Sequence, residues 1–479
     1  MSVKTYILDS SVLVHDPNAM FVFEENRLLF CTDTLKKLSE IGSKVQGERG
    51  ANARTALRKL QSVFNEPGDY QRLTDDYISV FCVKHDNAEF LLVNAVVENM
   101  FSGSGLDVAD STDELPQLIA LAKSFDATIV SKDVYIRLFT KAANVPAEDY
   151  KHDRIDNDEN FYTGRSILYL SGDMVSALAS GSAIAFSDWR SSHTLYSWDE
   201  RTHQEVPRPD TYEPSCNEFF IVKNASNPSS GGVLARLNSN REIVKLDFYG
   251  KRPFGVEPRN VGQHFAIEAL MQPASVAPLV ILKGQAGTAK TFLSMACGLE
   301  QAYNNHDYKS ILVSRQSSLL DESPGYLPGD EVEKVSPLLR SVFDNINVLM
   351  PNAERTKNGQ PAVEPSESLM MDGALKVQAM TFMRGRSIEQ TYVVIDEAQN
   401  CTPQQLFTLV TRVSSGTKIV ILGDINQIDN PYLDRYSNGL TFLSERMRGS
   451  SLCWQVTFQD NECERSALAT EAIHRLAQS

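Results

Sequence analysis

Residues 280–293 read VILKGQAGTAKTFL, and their types and spacing suit one task, holding a chain of phosphates. Gly284 opens the stretch and Lys290-Thr291 close it at the spacing of a P-loop, G-x-x-x-x-G-K-[ST], except that Ala289 stands where the second glycine belongs. An apolar run, APLVILKG, leads in and a helical run, KTFLSMACGL, leads out. In that setting the backbone N–H groups of Gln285, Ala286, Gly287, Thr288 and Ala289 cradle the anion, helped by the helix dipole. Lys290 is then expected to reach the β- and γ-phosphates, and the Thr291 hydroxyl to ligate Mg²⁺. Alanine is the smallest departure from glycine, and the start of a helix is expected to hold it at negative φ.

Two later strand ends carry matching chemistry. TYVVIDEAQ (391–399) is an apolar run ending in Asp396-Glu397. An acid there is placed for a second Mg²⁺ contact, and the next carboxylate for deprotonating a water. KIVILGDINQ (418–427) ends in Gly423-Asp424, with Gln427 three residues on, where an amide senses the γ-phosphate or orients the attacking water. Three strand ends in this order predict ATP hydrolysis.

A second set of acids lies near the N-terminus. TYILDSSVLVHDP places Asp9 at the end of a first buried strand, followed by two serines and an apolar stretch, and ATIVSKD places Asp133 at the end of a later strand. Acids from separate strand ends of one parallel sheet converge at its carboxyl edge. Clustered carboxylates there bind Mg²⁺ or Mn²⁺ and drive phosphodiester hydrolysis.

The elements that must position these residues alternate between strand and helix. In residues 1–150, NARTALRKLQSVF and LPQLIALAKSF have helical spacing between the apolar runs, which predicts an α/β domain with a parallel sheet. Charged, aperiodic KHDRIDNDEN (151–160) marks a boundary. Residues 151–250 predict a linker and a small β-rich module with strands at SILYLS, SAIAFS, EFFIVKN and EIVKLDFY. Strand–helix alternation resumes for 251–479, with NAERTKNGQPAVEPSES (352–368) as its most loop-like part. The chain of 479 residues is 42% apolar and 22% charged, and no run approaches the roughly 18 apolar residues of a membrane span. MSVKTYILDSS lacks the plan of a signal peptide, and seven scattered cysteines without a C-x-x-C pair point to a reducing cytoplasm. A net charge of −15 argues against a simple electrostatic nucleic-acid binder but leaves room for a local arginine groove.

DEAQ followed by GDxxQ resembles the helicase superfamily 1 core, and more closely its single-core relative, the PhoH family. NVGQHFAIEAL (260–270), GYLPGDEVEKVSPLL (325–339), MRGRS (383–387), DEAQN (396–400), LVTRV (409–413) and GDINQID (423–429) follow in that family's order. The resemblance implies a RecA-like ATPase in which Gln263 reads adenine and Arg412 and Arg465 supply positive charge to the γ-phosphate; Arg384 and Arg386, just before the strand at 391–396, would meet either an RNA backbone or neighbouring carboxylates. Residues 1–150, above all SKDVYIRLFTKAANVPAEDY (131–150), resemble a PIN nuclease domain. There the family's helix glutamate falls on Lys37, with Glu40 one turn on. The acid preceding LPQLIALAK is Asp113 or Glu114, and Asp113 is preferred. With Asp9 and Asp133, it would hold the metal.

A PIN domain joined to a PhoH domain implies ATP-dependent RNA remodelling with an attached metal-dependent ribonuclease, impaired here by Lys37. RNA and ATP are the expected partners, and a single motor core suggests a homo-oligomer such as a ring. Two other classes fit the same residues. One is a regulatory nucleotide-binding and assembly protein with slow ATP hydrolysis. The other is a plain ribonuclease with the ATPase as its platform.

Overall fold

The computed structural model describes residues 3–45, 48–72, 79–94, 114–151, 161–190, 193–229, 231–316, 339–350, 364–378, 380, 388–430 and 433–464. Those up to 151 form one compact unit and those from 161 a second. Among the described residues no helix is long and apolar enough to cross a membrane.

In the first unit β1 (Thr5–Leu8), β2 (Arg27–Cys31), β3 (Asp69–Arg72), β4 (Ser79–His85), β5 (Ala88–Asn94), β6 (Thr128–Val130) and β7 (Ala147–Glu148) make one sheet, ordered β3-β4-β5-β2-β1-β6-β7. The five strands from β5 to β7 are parallel, and β3 and β4 add an antiparallel edge. Central β1 buries both faces. Ile7 packs with Leu118 and Ile129, and Leu8 with Val12 and Phe30. Burial on both sides is what a parallel sheet with helical crossovers requires. β1 stops at Leu8, where the sequence places the strand end. Asp9 ends it, and its carboxylate accepts from Val12 N–H to cap the helix Ser10–His15. Asp-Ser-Ser is cap chemistry, so the apolar residues after it line a helix rather than extending the strand. The β4–β5 hairpin turns at Asp86, with φ +52°.

The second unit contains two sheets. The first comprises β8 (Arg165–Leu170), β9 (Ile184–Ala185), β10 (Leu195–Asp199), β11 (Gln204–Pro207), β12 (Phe219–Asn224), β13 (Val233–Leu237) and β14 (Glu242–Lys245), in the order β11-β10-β8-β12-β13-β14-β9. SAIAFS holds only the two residues of β9. The chain then turns into the helix Phe186–Arg190, which buries Trp189. The other sheet comprises β15 (Leu279–Lys283), β16 (Ser310–Arg315), β17 (Leu375–Val377), β18 (Thr391–Asp396), β19 (Lys418–Gly423) and β20 (Cys453–Thr457). Its order is β17-β16-β18-β19-β15-β20, and every pair is parallel. Every residue of β15, β18 and β19 is buried. Because the strands are parallel, the segments that follow β15, β16, β18 and β19 all emerge at one edge.

The two sheets share a core. Phe219 of β12 stacks on Phe265 with ring centroids 4.7 Å apart and meets Trp454 of β20 edge-on at 6.0 Å. Arg165 of β8 forms a buried ion pair with Glu462 at 2.7 Å. Fully buried Lys283, the last residue of β15, donates to Tyr162 O at 2.5 Å and Ser444 Oγ at 2.6 Å. Desolvation pushes its amine down to about 8. Buried charges of this kind specify one docking geometry more than they add stability.

Candidate functional site

The loop after β15 wraps around an amine. Lys290 Nζ donates to Gly284 O at 2.6 Å, to Gln285 O at 2.9 Å and to Thr288 Oγ1 at 3.4 Å. Lys290 is half-buried rather than solvent-facing. Burial lowers its pKa, while Asp424, Asp396 and Glu397 pull it back up. Gly287 lies at φ +90° and Ala289 at φ +66°, both in the left-handed region. The expectation of negative φ at Ala289 is therefore not met. Ala289 is the cap residue of the helix Lys290–Leu299, and right-handed geometry begins only at Lys290. An alanine there costs about 1–2 kcal/mol relative to right-handed backbone.

That strain sits in the folded loop before any nucleotide arrives. Ala289→Gly relieves it but adds about 0.4–1 kcal/mol of unfolded-chain entropy. The expected result is a net gain in folding stability of about 0 to 1.6 kcal/mol, with ATP affinity changed less than about threefold. Thermal unfolding and equilibrium ATP binding check both. A tenfold tightening would show that the free loop leaves this conformation.

Opposite the loop, Asp396 ends β18 almost fully buried, and Thr291 Oγ1 donates to its Oδ1 at 3.3 Å. Burial, then the charge of Glu397, raise the Asp396 pKa. Glu397 follows at φ +54°, another non-glycine in the left-handed region. Side chains held in such backbone cluster at functional sites. Gln399, wholly buried, ties the two loops together. Its Nε2 donates to Glu397 Oε2 at 2.6 Å and to Gln427 O at 2.8 Å, and its Oε1 accepts from Asp424 N–H at 3.1 Å. Arg315, at the end of β16, lies 3.5 Å from Glu397 Oε1. Gln427 has an exposed side chain at the rim. Neither Arg315 nor Gln399 was singled out as a site residue from the sequence, although Gln399 belongs to the DEAQ motif itself.

The donor set fits Mg²⁺. Two hard oxygens, from Thr291 and Asp396, converge beside the phosphate loop, as a magnesium site built from few protein ligands needs. Asp424 Oδ2 is buried without a hydrogen-bond partner among the described residues, which leaves one more acceptor facing this corner. Three carboxylates face two cations here, Lys290 and Arg315, so one negative charge is left for a metal ion to balance.

A strap after β20 covers the other side of the loop. Gln285 Nε2 donates to Asp460 Oδ1 at 2.7 Å, Cys463 Sγ donates to Ala286 O at 3.0 Å, and Glu464 N–H donates to Gly287 O at 3.0 Å. Gln263, expected to read adenine, is buried beside this strap. Its Oε1 accepts from Arg259 N–H at 2.8 Å, and its Nε2 reaches Glu464 Oε1 at 3.5 Å. Gln263 is thus brought close to the loop. Arg412 is not brought there by its own chain. It is exposed between the helix Pro403–Val410 and the start of β19, at the amino edge of the sheet. The length of β19, roughly 20 Å for its strand rise, separates that edge from the phosphate loop. Arg465, Arg384 and Arg386 lie outside the described residues.

In the first unit the acids at the carboxyl edges of β1 and β6 do not gather as expected. Asp9 is fully buried and accepts from Ser11 Oγ at 2.7 Å, from Ser131 Oγ at 2.5 Å and from Val12 N–H at 3.1 Å. Burial first, then the charge of Glu114, push its pKa up to about 7. Its neighbour is Glu114, fully buried; the preferred Asp113 lies outside the described residues. Asp133 is exposed, and its carboxylate caps its own helix by accepting from Tyr135 N–H at 2.8 Å. Ser131, two residues earlier, makes the contact that Asp133 was expected to make. Glu40 is exposed and pairs with Lys44 at 3.3 Å, so it does not replace the missing glutamate. Lys37 Nζ lies 3.3 Å from Glu114 Oε1. Among the described residues no group of three or more histidines, cysteines or acids could hold a metal ion. The described acids of this centre do not fit a Mg²⁺ or Mn²⁺ pair.

Comparison with known proteins covers the whole chain. A family profile described as "PIN domain" matches residues 6–151, and one described as "PhoH-like protein" matches residues 255–477. A Bacillus subtilis protein named Protein PhoH2 is 31% identical over 480 residues, spanning 99% of this chain and 100% of that protein. A Mycolicibacterium smegmatis protein of the same name is 26% identical over 484 residues, with coverage of 99% and 98%. A PhoH-like protein of Bacillus subtilis is 33% identical over 195 residues, which span 41% of this chain and 57% of that one.

Proposed function

The chain belongs to the PhoH2 family, with a PIN domain ahead of a helicase-like PhoH P-loop ATPase, and on that premise we propose that it uses ATP to remodel RNA. The observation that carries the reading is the convergence at one sheet edge. Lys290 and Thr291 on the phosphate loop face Asp396, and Gln399 links Glu397 to the GDINQ loop.

In this reading Lys290 leaves the loop carbonyls and binds the phosphates of ATP, with the loop's N–H groups around it. Thr291 and Asp396 would hold Mg²⁺, which supplies positive charge to the phosphate oxygens. Glu397 takes the proton of the attacking water. Gln399 orients its carboxylate and couples it to Gln427, whose amide lies within reach of solvent at the rim. Gln263 reads the base from beside the strap. Arg465, outside the described residues, keeps the γ-phosphate role that the family resemblance implies. Arg412, exposed at the opposite edge, suits the site of a neighbouring subunit in a ring. No cleavage step is assigned to the first unit, whose described acids do not fit the metal pair.

Steady-state ATP hydrolysis with and without single-stranded RNA tests the proposal. A severalfold stimulation by RNA is expected. A rate indifferent to RNA, together with an oligomeric state that changes on ATP binding, would instead identify a nucleotide-controlled assembly switch.

A further inference from the structure

We infer that Lys37 takes the place of a divalent cation in the first unit, so that the acid pair Asp9–Glu114 is a closed, metal-independent centre. The inference is independent of the ATPase reading. Its starting point is that two fully buried carboxylates lie side by side, an arrangement that in most proteins needs a metal or a shared proton. Here the positive charge comes from the chain. The Lys37 ammonium enters from the helix Thr32–Lys44 and pairs with Glu114 at 3.3 Å.

The lone pairs are also occupied. Glu114 accepts from Ser10 Oγ at 2.5 Å, from Thr34 Oγ1 at 2.7 Å, from Ser10 N–H at 3.2 Å and from Lys37. An ionised carboxylate offers about four acceptor sites, so Glu114 has none left for a metal. Asp9 is engaged by Ser11, Ser131 and Val12. A magnesium ion demands near-octahedral oxygen ligation at about 2.1 Å, and the acceptor site on Glu114 that it would use is the one the Lys37 ammonium occupies. Among the described residues, the other candidate acids point elsewhere: Asp133 caps a helix and Glu40 pairs with Lys44.

Removing the ammonium should turn the centre into a metal site. Lys37→Ala frees one acceptor site on Glu114 and leaves two buried carboxylates without the ammonium that pairs with them. Lys37→Glu adds a third acid. Hydrogen exchange on the full chain tests this, read in peptides covering residues 5–15, 27–44 and 114–131, with MnCl₂ as the probe. These peptides all belong to the first unit, so binding of Mn²⁺ at the phosphate loop does not enter the readout. In the wild type, Mn²⁺ is expected to leave their exchange unchanged. In Lys37→Ala they should exchange faster without metal, and Mn²⁺ at about ten times its Kd should slow them about tenfold. A variant that folds only when Mn²⁺ is present supports the inference equally.

Two results would overturn it. One is wild-type protection that rises with Mn²⁺ and is lost in Asp9→Asn, which would show a working metal site beside Lys37. The other is Lys37→Ala and Lys37→Glu both remaining insensitive to Mn²⁺, or failing to fold with or without it. The ammonium would then be a structural partner of Glu114 and no substitute for a cation.

Discussion

Glu397→Gln should bind ATP within about threefold of the wild type and hydrolyse it about 10²–10⁴ times more slowly, the usual contribution of a positioned general base. The substitution keeps size and shape but removes the basic oxygen. It also has a small structural cost that the geometry makes explicit. Glu397 accepts from Gln399 Nε2 at 2.6 Å and faces the Arg315 guanidinium at 3.5 Å. An amide has one oxygen, so one of these donors loses its acceptor, at about 1 kcal/mol. Equilibrium nucleotide binding and single-turnover hydrolysis separate the two effects. If affinity collapsed while the chemistry of the bound fraction survived, Glu397 would be a structural strut and the water would be activated elsewhere.

Lys290→Ala should reduce ATP turnover by at least about 10²-fold, the scale seen when one preorganised donor is removed from a developing charge. Binding should weaken too, since each charge-assisted hydrogen bond to a phosphate contributes about 1.5–3 kcal/mol. The fold should persist. The carbonyls of Gly284 and Gln285 that Lys290 now satisfies belong to residues that are only partly buried, so water can replace the amine. Lys290→Arg makes the test sharper. A guanidinium keeps the charge but is planar and larger than the ammonium that fits between Gly284 O, Gln285 O and Thr288 Oγ1. Lys290→Arg is expected to be nearly as inactive as Lys290→Ala. Turnover close to wild type in Lys290→Arg would mean that charge alone matters at this position; turnover close to wild type in Lys290→Ala would remove this loop from the mechanism. Thermal unfolding alongside the rate measurements distinguishes a lost ligand from a lost fold.

Much of this was legible from short stretches. The continuous apolar runs of β15, β18 and β19 announced strands buried on both faces, and the polar residues after each had to emerge at one edge once the strands were parallel. NARTALRKLQSVF and LPQLIALAKSF became the helices Glu48–Phe64 and Leu115–Phe125 because their apolar spacing matches the helical period. Asp9 stands at the end of a strand, as its sequence places it, and caps the next helix too. Expectations failed where one local signal overrode another. Asp133 follows an apolar run, but its carboxylate caps its own helix instead of meeting Asp9. Ala289 looked tolerable at negative φ, but the turn that brings the loop around Lys290 needs φ +66°.

What this sequence determines by itself is chemistry within a turn or a strand: which residues can cap, line a buried run, or present an N–H row to an anion. Those outcomes depend on neighbours a few positions away, so a short window contains the whole cause. The tertiary structure alone decided the partnerships. Glu114 rather than another acid faces Asp9, and it is held by Ser10 and Thr34 from 104 and 80 residues away. Arg412 falls at the far edge because the crossover helix returns the chain to the start of β19. Glu464 reaches the phosphate loop because Glu462, in the strap just before it, is clasped by Arg165 and by Gly262 N–H, 200 residues earlier in the chain. A buried carboxylate has a role only once its donors are known, and donors brought together by loops of that length leave no local periodicity to read.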